Sequence, residues 1–422
     1  MISASAVVIL VQACLVISVT PEINVVYPRP MKGDSIAHIA RVDSNFIFGS
    51  VEPPDARLFI NHHPVPLYEN GAFLAFLPVD WDGRCYDLQA IHDVDVARLD
   101  LPFDAYPPAE PPVDPGLSFP RLLELTGGVA RTDPDGAYYV FPAPGTVALS
   151  VDWRRGYYRL PLADCRAVWI SGRFVNDAGP AATLKPPVLW RGSVEPAGKW
   201  VKITLPVHRK VLFRAWESTD PDRIILELYN IISHIDRIDY APGTEPVREV
   251  TWDQPADGVV RIEVSLSTPC WGYKTVWSEG ALTLMVRKPP ALDHGVGGLV
   301  IALDPGHGGD DFGAIGPTGL TEKEANLRAA LKLAQLLRRK GAKVVLTRSD
   351  DSPVGLVERI GIAEEAGADL LISLHHNALP DGVNPFGDIG TGSYYYRPQS
   401  RILTQSIQKE LVKRLRFYDE GV

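Results

Sequence analysis

Leu299-Val300-Ile301-Ala302-Leu303-Asp304-Pro305-Gly306-His307-Gly308-Gly309 is the stretch that decides the fold of the C-terminal part of the chain. Its apolar beginning is typical of a parallel strand that is buried on both faces. The glycines around His307 allow a sharp turn and leave space beside the imidazole. A second apolar run, Asp369-Leu370-Leu371-Ile372-Ser373-Leu374, leads into His375-His376-Asn377. Each predicted strand therefore delivers histidine at its carboxyl end, which is where open α/β sheets bind ligands.

A predicted helix lies between the two strands. The segment Thr321-Glu322-Lys323-Glu324 precedes an amphipathic run over residues 327–340, so Glu322 stands at the helix start. His307, Glu322 and His375 together make a zinc-type donor set, because neutral imidazole and carboxylate are good zinc ligands. Three protein ligands leave a fourth position for water, which is typical of a catalytic zinc site. No cysteine occurs in this region, which excludes a thiolate site.

Other roles for these residues compete with zinc binding. The glycine-rich turn could cradle a phosphate at a helix N-terminus, but it lacks the Gly-x-x-x-x-Gly-Lys-Ser/Thr pattern of a nucleotide site. Glu322 could simply complement the helix dipole. The combination with two histidines at strand ends favours zinc. His376 and Glu324 are predicted to face away from their neighbours His375 and Glu322, so neither is counted as a ligand.

The region resembles the catalytic domain of the zinc-dependent N-acetylmuramoyl-L-alanine amidases of the amidase_3 type, which cleave bacterial peptidoglycan. The matching pieces are Leu303-Asp304-Pro305-Gly306-His307-Gly308-Gly309, Asp311-Phe312-Gly313-Ala314, Glu322-Lys323, Asn326-Leu327 and Ser373-Leu374-His375-His376-Asn377-Ala378. By position, the resemblance implies that His307, Glu322 and His375 bind Zn²⁺. The zinc would activate a water for attack on the amide between N-acetylmuramic acid and L-alanine. Asn377 is expected to bind substrate or to fix the loop after the strand.

The resemblance also implies a general-base glutamate further downstream, on a strand in a Val-Glu-x-Gly-Phe-like setting. No such motif occurs before Val422. We therefore expect the catalytic base beyond Val422 and interpret the chain as a piece of a longer reading frame. Glu358 is the nearest substitute by residue type, but its predicted place within a helix argues against it. Two hypotheses follow: a peptidoglycan amidase, or a catalytically inactive wall-binding or regulatory protein that retains an amidase-like zinc site.

The predicted fold class is a multidomain protein, with N-terminal all-β modules followed by an α/β doubly wound amidase domain over residues 296–422 that is incomplete at its C-terminal end. Strands alternating with helices carry this prediction. Beyond the two strands already described, the pattern predicts strands at residues 343–347 and 392–396 and helices at residues 356–366 and 402–415.

The upstream part reads as a series of β-rich modules, because short strand-like runs alternate with Gly and Pro turns. The predicted divisions are a signal peptide at residues 1–20, an immunoglobulin-like module at 21–105, a Pro-rich linker at 106–120, an SH3-like barrel at 121–185 and an AMIN-like module at 186–290. The last two are resemblances to modules that accompany wall hydrolases. His62-His63 is predicted to be an exposed turn pair and not a metal site. Cys270-Trp271-Gly272-Tyr273 is either a surface aromatic patch or a corner of the core.

The N-terminal leader and the cysteines bear on the compartment. Residues 6–19 are strongly apolar, too short for a membrane span, and fit the apolar region of a secretory signal, although the first basic residue is Arg29. A lipoprotein-type box at Cys14 and a buried N-terminal strand are the alternatives. Cys85, Cys165 and Cys270 are isolated in sequence, which favours free buried thiols over a disulfide framework.

Charge and resemblance together define the expected partners. The net charge is −9 and the chain has no basic run, which argues against nucleic acid or an anionic membrane as a partner. The resemblance implies peptidoglycan as the partner and an exported protein in the periplasm or cell envelope of a bacterium, without a stable membrane span. The resemblance is also compatible with an activating protein in the envelope as a further partner.

Overall fold

The computed structural model describes residues 19–30, 33–107, 116–163, 165–278, 280–387 and 390–422. Two compact units result: residues 1–108 with 291–388, and residues 109–290 with 389–422. The predicted signal peptide lies almost entirely outside the described residues. Among the helices of the described part, none has both the length and the apolar character that a membrane crossing requires.

The N-terminal module of the first unit is a sandwich of two β-sheets. Its strands are β1 Glu22–Tyr27, β2 Ala37–Ile39, β3 Ser44–Glu52, β4 Arg57–Ile60, β5 His63–Val65, β6 Ala72–Pro78, β7 Cys85–His92 and β8 Asp95–Ala105. One sheet has the order β1-β3-β6 and the other β2-β8-β7-β4-β5. Ile47 and Phe73 of the first sheet share a core with Leu88 and Phe103 of the second. Apolar residues alternate along the strands, so each sheet buries one face.

The histidine pair of this module is an exposed turn, as predicted. Asn61 and His62 have positive φ angles of 47° and 66°. The side chains of His62 and His63 are both exposed. The turn joins β4 to β5, and it belongs to no cluster of metal-ligating side chains among the described residues.

The second unit begins with a module of small sheets. Its elements are β9 Arg121–Leu125, β10 Ala130–Arg131, β11 Tyr138–Val140, β12 Thr146–Ser150, β13 Asp152–Arg154, β14 Tyr157–Pro161, β15 Ala167–Ser171, a 3-10 turn Gly172–Phe174 and β16 Val175–Pro180. The sheets have the orders β11-β10-β15-β14-β13 and β12-β9-β16. Their core also contains Leu212, Tyr229 and Val259 from the following module, so the two modules share buried side chains. The SH3-like topology remains a prediction.

The following module is a larger sandwich. Its strands are β17 Val188–Leu189, β18 Gly192–Ala197, β19 Trp200–Pro206, β20 Phe213–Thr219, β21 Asp222–Tyr229, β22 Ile232–Ser233, β23 Ile238–Tyr240, β24 Val247–Ala256, β25 Val259–Leu266, β26 Tyr273–Ser278 and β27 Ala281–Arg287. The two main sheets have the orders β23-β18-β19-β27-β26 and β20-β21-β25-β24. Cys270 and Tyr273 are buried in the core between them, so the segment 270–273 is a corner of the core.

The described cysteines are free, as predicted, but the expectation that all are buried is wrong. Cys270 is buried, Cys85 is half-buried and Cys165 is exposed. Cys165 lies in the turn between β14 and β15, where it has a positive φ of 59° and is exposed. Burial raises the pKa of the Cys270 thiol to about 11, which keeps it protonated and unreactive. Cys14 lies outside the described residues.

The C-terminal segment contains the helices. Its elements are β28 Val300–Pro305, α1 Glu322–Arg339, β29 Lys343–Leu346, α2 Leu356–Glu365, β30 Leu370–Leu374, β31 Gly390–Gly392, a 3-10 turn Pro398–Ser400, α3 Arg401–Leu415 and β32 Tyr418–Gly421. β28 lies between β29 and β30 in a three-stranded parallel sheet. The predicted alternation of strands and helices is confirmed for these elements. Residues up to 388 belong to the first unit and those from 389 to the second, and the doubly wound arrangement stays a prediction.

The predicted strand at residues 392–396 is wrong. The extended pairing covers only Gly390–Gly392, which lies parallel to Tyr418–Gly421. Tyr394 and Tyr396 are each 80% exposed. Three aromatic residues in a row favour a strand only where a neighbouring strand and a packed face receive them, and these tyrosines have neither among the described residues.

Candidate metal centre

The His307 loop follows β28 and is held in a strained conformation. His307 has a φ of 63°, which is uncommon for a residue with a side chain and is often found at functional sites. Two buried arginines fix the loop. Arg359 Nη2 donates to the His307 carbonyl at 2.8 Å, and Arg348 donates to the carbonyls of Pro305 and Gly306 at 2.9 and 2.8 Å. The charged donors compensate for the strain and set the direction of the imidazole.

Glu322 starts helix α1, and its carboxylate is almost fully buried. Its side chain is 5% exposed. The backbone N–H groups of Ala314 and His376 donate to the two carboxylate oxygens, each at 2.8 Å. Burial raises the pKa of Glu322, but these donors and the Asn326 amide outweigh it and hold the pKa below its ordinary value. Glu322 is therefore an oriented anion in a protein pocket.

His375 follows β30, which pairs in parallel with β28 so that Leu374 lies opposite Pro305. This register brings the two predicted strand-end histidines together. The ring centroids of His307 and His375 are 5.0 Å apart and nearly perpendicular. A Cβ at Gly306 would lie 2.2 Å from His375 Cε1, so only glycine leaves room for the imidazole at this point.

The three predicted ligands converge. His307 Nε2 lies 3.1 Å from one Glu322 oxygen and His375 Nδ1 lies 3.0 Å from the other. One donor atom from each residue lies within 4.8 Å of the other two. Two imidazole nitrogens and one carboxylate oxygen at this spacing surround a point that a tetrahedral zinc ion could occupy with its fourth position open. The residues present therefore fit the predicted ion.

Asp311 completes the set by fixing one histidine. Its Oδ2 accepts a hydrogen bond from His307 Nδ1 at 2.9 Å, and this bond holds the pKa of Asp311 below its ordinary value. An ionised carboxylate only accepts, so Nδ1 carries the proton and Nε2 presents its lone pair. The neutral tautomer that zinc requires is thus selected by the protein.

The other residues considered from the sequence lie outside the donor cluster. His376 Nδ1 lies 2.7 Å from Asn326 Oδ1. Glu324 accepts from the Thr321 N–H in a capping box. Glu358 accepts from the Gly355 N–H at the start of α2. Asn377 is exposed just after β30 and lines a cavity next to Glu322.

The sequence contained no recognised signal for Arg348 and Arg359. Both lie on elements that follow the histidine loop by some forty to fifty residues. Asp311 belongs to the motif Asp311-Phe312-Gly313-Ala314, which by itself indicates no role for its carboxylate. Its spacing of four residues from His307, with glycines between them, is the one local signal that could have identified it.

Replacing Asp311 with asparagine is expected to lower the affinity for zinc about 10- to 100-fold, the usual cost of losing an outer partner of a metal-bound histidine. The amide can donate as well as accept, so it no longer enforces one tautomer of His307. Competition with a zinc chelator measures the change. Asp310→Asn, the exposed neighbour, is the matched control and should keep the original affinity. Equal affinity in both variants would contradict the role given to Asp311.

Comparison with known proteins identifies this segment. A family model for N-acetylmuramoyl-L-alanine amidase matches residues 301–422. Residues 301–422 belong to the N-acetylmuramoyl-L-alanine amidase family. We refer to this segment as the amidase domain; it contains all three clustered donors.

Individual relatives agree with the family match. The amidase LytC of Bacillus subtilis is 41% identical over 135 residues, which cover 31% of this chain and 26% of LytC. The amidase AmiA of Escherichia coli is 38% identical over 133 residues, which cover 32% of this chain and 44% of AmiA. Among solved structures, the amidase AmiC2 of Nostoc punctiforme is 34% identical, with a TM-score of 0.27, over 30% of this chain and 69% of that chain.

The match is confined to the amidase domain. The chain spans 26% to 60% of the length of the first curated relatives that it matches. The predicted amidase domain at the C-terminal end is confirmed by these matches. The roles of individual residues in it, and of the upstream β-modules, stay predictions.

Proposed function

We propose that the protein is an exported zinc hydrolase that cleaves the amide between N-acetylmuramic acid and the L-alanine of the peptidoglycan stem. The observation that carries the proposal is the convergence of His307, Glu322 and His375 within the amidase domain. The names of the relatives support the same reaction. Export, a location in the cell envelope and a doubly wound sheet belong to this proposal, since each follows from the family.

The donor residues would hold zinc through His307 Nε2, one oxygen of Glu322 and one nitrogen of His375. When bound, zinc lowers the pKa of a water to about 7 and polarises a carbonyl oxygen. Glu322 contributes the negative charge, and the N–H groups of Ala314 and His376 keep its carboxylate in place. Asp311 keeps the proton on Nδ1 of His307.

Substrate-side residues lie beside these donors. Asn377 lies three residues after β30 with an exposed side chain, and its amide can donate to or accept from the peptide backbone of a substrate. We assign no proton acceptor among the described residues. Glu358 is a poor candidate because its carboxylate accepts from the Gly355 N–H at the start of α2.

Product analysis tests the proposal. The full chain is loaded with zinc and incubated with a muramoyl tripeptide, and the products are identified by mass spectrometry. The expected products are the free stem peptide, with a new amine on L-alanine, and the intact lactyl sugar. Cleavage between sugars or within the stem would overturn the proposed reaction. Intact substrate in the presence of about one bound zinc per chain would show that this chain binds zinc without hydrolysing the amide, which is the result expected if it lacks the general base or if it is the inactive wall-binding protein.

A further inference from the structure

The N-terminal module is joined to the loop that follows His375 through one carboxylate. Asp381 accepts from the Ala40 N–H at 2.6 Å, from the Asn45 amide at 3.2 Å and from the Tyr27 hydroxyl. Asn45, which is fully buried, accepts a hydrogen bond at its Oδ1 from the Gly382 N–H at 3.2 Å. Burial and the Asp381 carboxylate raise the pKa of Tyr27, so its hydroxyl remains a donor. This junction places strands β1 and β3 beside the amidase domain.

Those two strands present aromatic side chains on one face. The rings of Tyr27, Phe46 and Phe48 form a continuous patch, with centroids 5.0 to 6.1 Å apart. Aromatic rings at these separations attract one another and make a rigid wall. The wall lines a cavity together with Tyr106 and Leu74 of the same module.

The opposite side of this cavity belongs to the candidate metal centre. Gly313, Ala314, Glu322 and His376 line it, as does Asn377. The cavity has a volume of about 680 Å³, which is in the range of roughly 300 to 1,000 Å³ that is typical of small-ligand sites. When the scissile amide of a substrate lies at the donor cluster, the part of the substrate that is bonded to this amide can therefore enter the cavity.

The charged side chains that line the cavity differ in whether they already have partners. Glu322 belongs to the donor cluster, and Asp381 accepts the hydrogen bonds of the junction with the N-terminal module. Arg29 also lines the cavity, it is exposed, and it makes no ion pair within the described part of the chain. An apolar cavity that has, among the described residues, one guanidinium without an ion pair suits a ligand that has small apolar groups and one carboxylate.

We propose that this cavity binds the stem-peptide side of the substrate and that Arg29 receives the carboxylate of the residue after L-alanine. The inference rests on the proposed function and adds the substrate class to it: an acidic stem in which that carboxylate is free. The alanine methyl packs on the aromatic wall. The carboxylate of the next residue then forms a charge-assisted pair with Arg29.

The glycan side of the substrate fits the cavity less well. A sugar chain carries hydroxyl and acetamido groups on all sides. Burying such a polar group without a hydrogen-bond partner is unfavourable. Phe46, Phe48, Leu320 and Leu379 have no hydrogen-bonding groups in their side chains, and the Tyr27 hydroxyl already donates to Asp381. A short peptide has methyl and methylene groups that can be buried there, and its carboxylate can pair with Arg29.

A binding comparison tests the inference without requiring hydrolysis. The probes are N-acetyl-L-alanyl-D-glutamate and the same peptide with its α-carboxylate converted to a carboxamide. Calorimetry with the zinc-loaded full chain should give about 10- to 100-fold tighter binding of the free acid, the usual effect of a hydrogen bond to a charged group. Arg29→Gln should reduce this ratio to about one. Arg57→Gln, an exposed arginine on β4 of the same module, is the matched control and should keep the ratio.

The outcomes separate this inference from the proposed function. An undiminished preference for the acid in Arg29→Gln would overturn the inference, as would binding of a glycan disaccharide but of neither peptide. Cleavage of the muramoyl tripeptide without any acid preference would overturn the inference and leave the proposed reaction standing. Acid-selective binding that depends on Arg29, together with cleavage of the muramoyl tripeptide at a bond other than the alanine amide, would support the inference and overturn the reaction.

Discussion

Replacing Glu322 with glutamine is expected to remove zinc from the chain and, with it, amide hydrolysis. The substitution keeps the shape of the side chain but removes the anionic oxygen that would be the third zinc ligand beside the two neutral imidazoles. It also brings an NH₂ group towards the Ala314 or His376 N–H, both of which now donate to the carboxylate. We expect the zinc affinity to fall by more than about 100-fold, since losing an outer partner alone accounts for up to that factor.

Metal analysis after dialysis against buffer without chelator measures this effect. Glu324→Gln is the matched control, because Glu324 lies two residues along the same helix and accepts from the Thr321 N–H. Glutamine supports a capping box as glutamate does, so the control should keep its helix and about one zinc per chain. A Glu322→Gln variant that retained the same zinc content would refute the assignment of Glu322 as a ligand.

Much of the candidate site could be predicted from the sequence because its elements are defined by local patterns. The apolar run before Asp304 forms a buried strand, β28, as expected. Helix α1 starts at Glu322 behind the Thr321 cap, where the residue types favour a helix start. Once two parallel strands are placed side by side, their carboxyl ends meet at one edge, and this brings His307 and His375 together.

The parts that could not be predicted depend on contacts between distant segments. Nothing in the sequence around Arg348 and Arg359 distinguishes them from other arginines. They become buried donors only because α2 and the segment after β29 pack against the histidine loop. Asp381 belongs to a loop with no periodic pattern, and its role comes from a module more than three hundred residues away in sequence. The tyrosines at residues 394–396 have strand-forming side chains, but within the described part of the chain no strand pairs with them. Local propensity does not contain this information.

Replacing Asp304 has the second large expected effect, because its carboxylate connects β28 to β30, to α2 and to the residue that follows β29. Its Oδ1 accepts from Thr347 Oγ1 and Arg359 Nη1, each at 2.6 Å, and its Oδ2 accepts from Ser373 Oγ at 2.7 Å. Asp304 and Arg359 are 7% and 6% exposed. Burial raises the pKa of Asp304, but the two hydroxyls and the guanidinium outweigh it and hold the pKa below its ordinary value. The carboxylate is therefore ionised and fully partnered inside the protein.

Replacing Asp304 with asparagine is expected to lower the free energy of unfolding by about 3 to 5 kcal/mol, because Arg359 stays buried without a counter-ion. Urea denaturation at neutral pH measures the loss. Asp293→Asn, at an exposed position ahead of β28, is the matched control and should change the stability by less than about 0.5 kcal/mol.

The stability difference between the original protein and Asp304→Asn is expected to depend on pH, and the direction of this dependence follows from the pKa of Asp304. The folded-state pKa of Asp304 lies below its value in the unfolded chain, so the stabilising contribution is complete above the unfolded pKa, about 4. It is lost as the pH falls through the folded-state pKa. The difference in stability between the original protein and Asp304→Asn should therefore be constant near neutral pH and shrink below about pH 4. A constant difference across that range would mean that shape and hydrogen bonds at this position, and not the charge of Asp304, hold the ends of β28, β30 and α2 together.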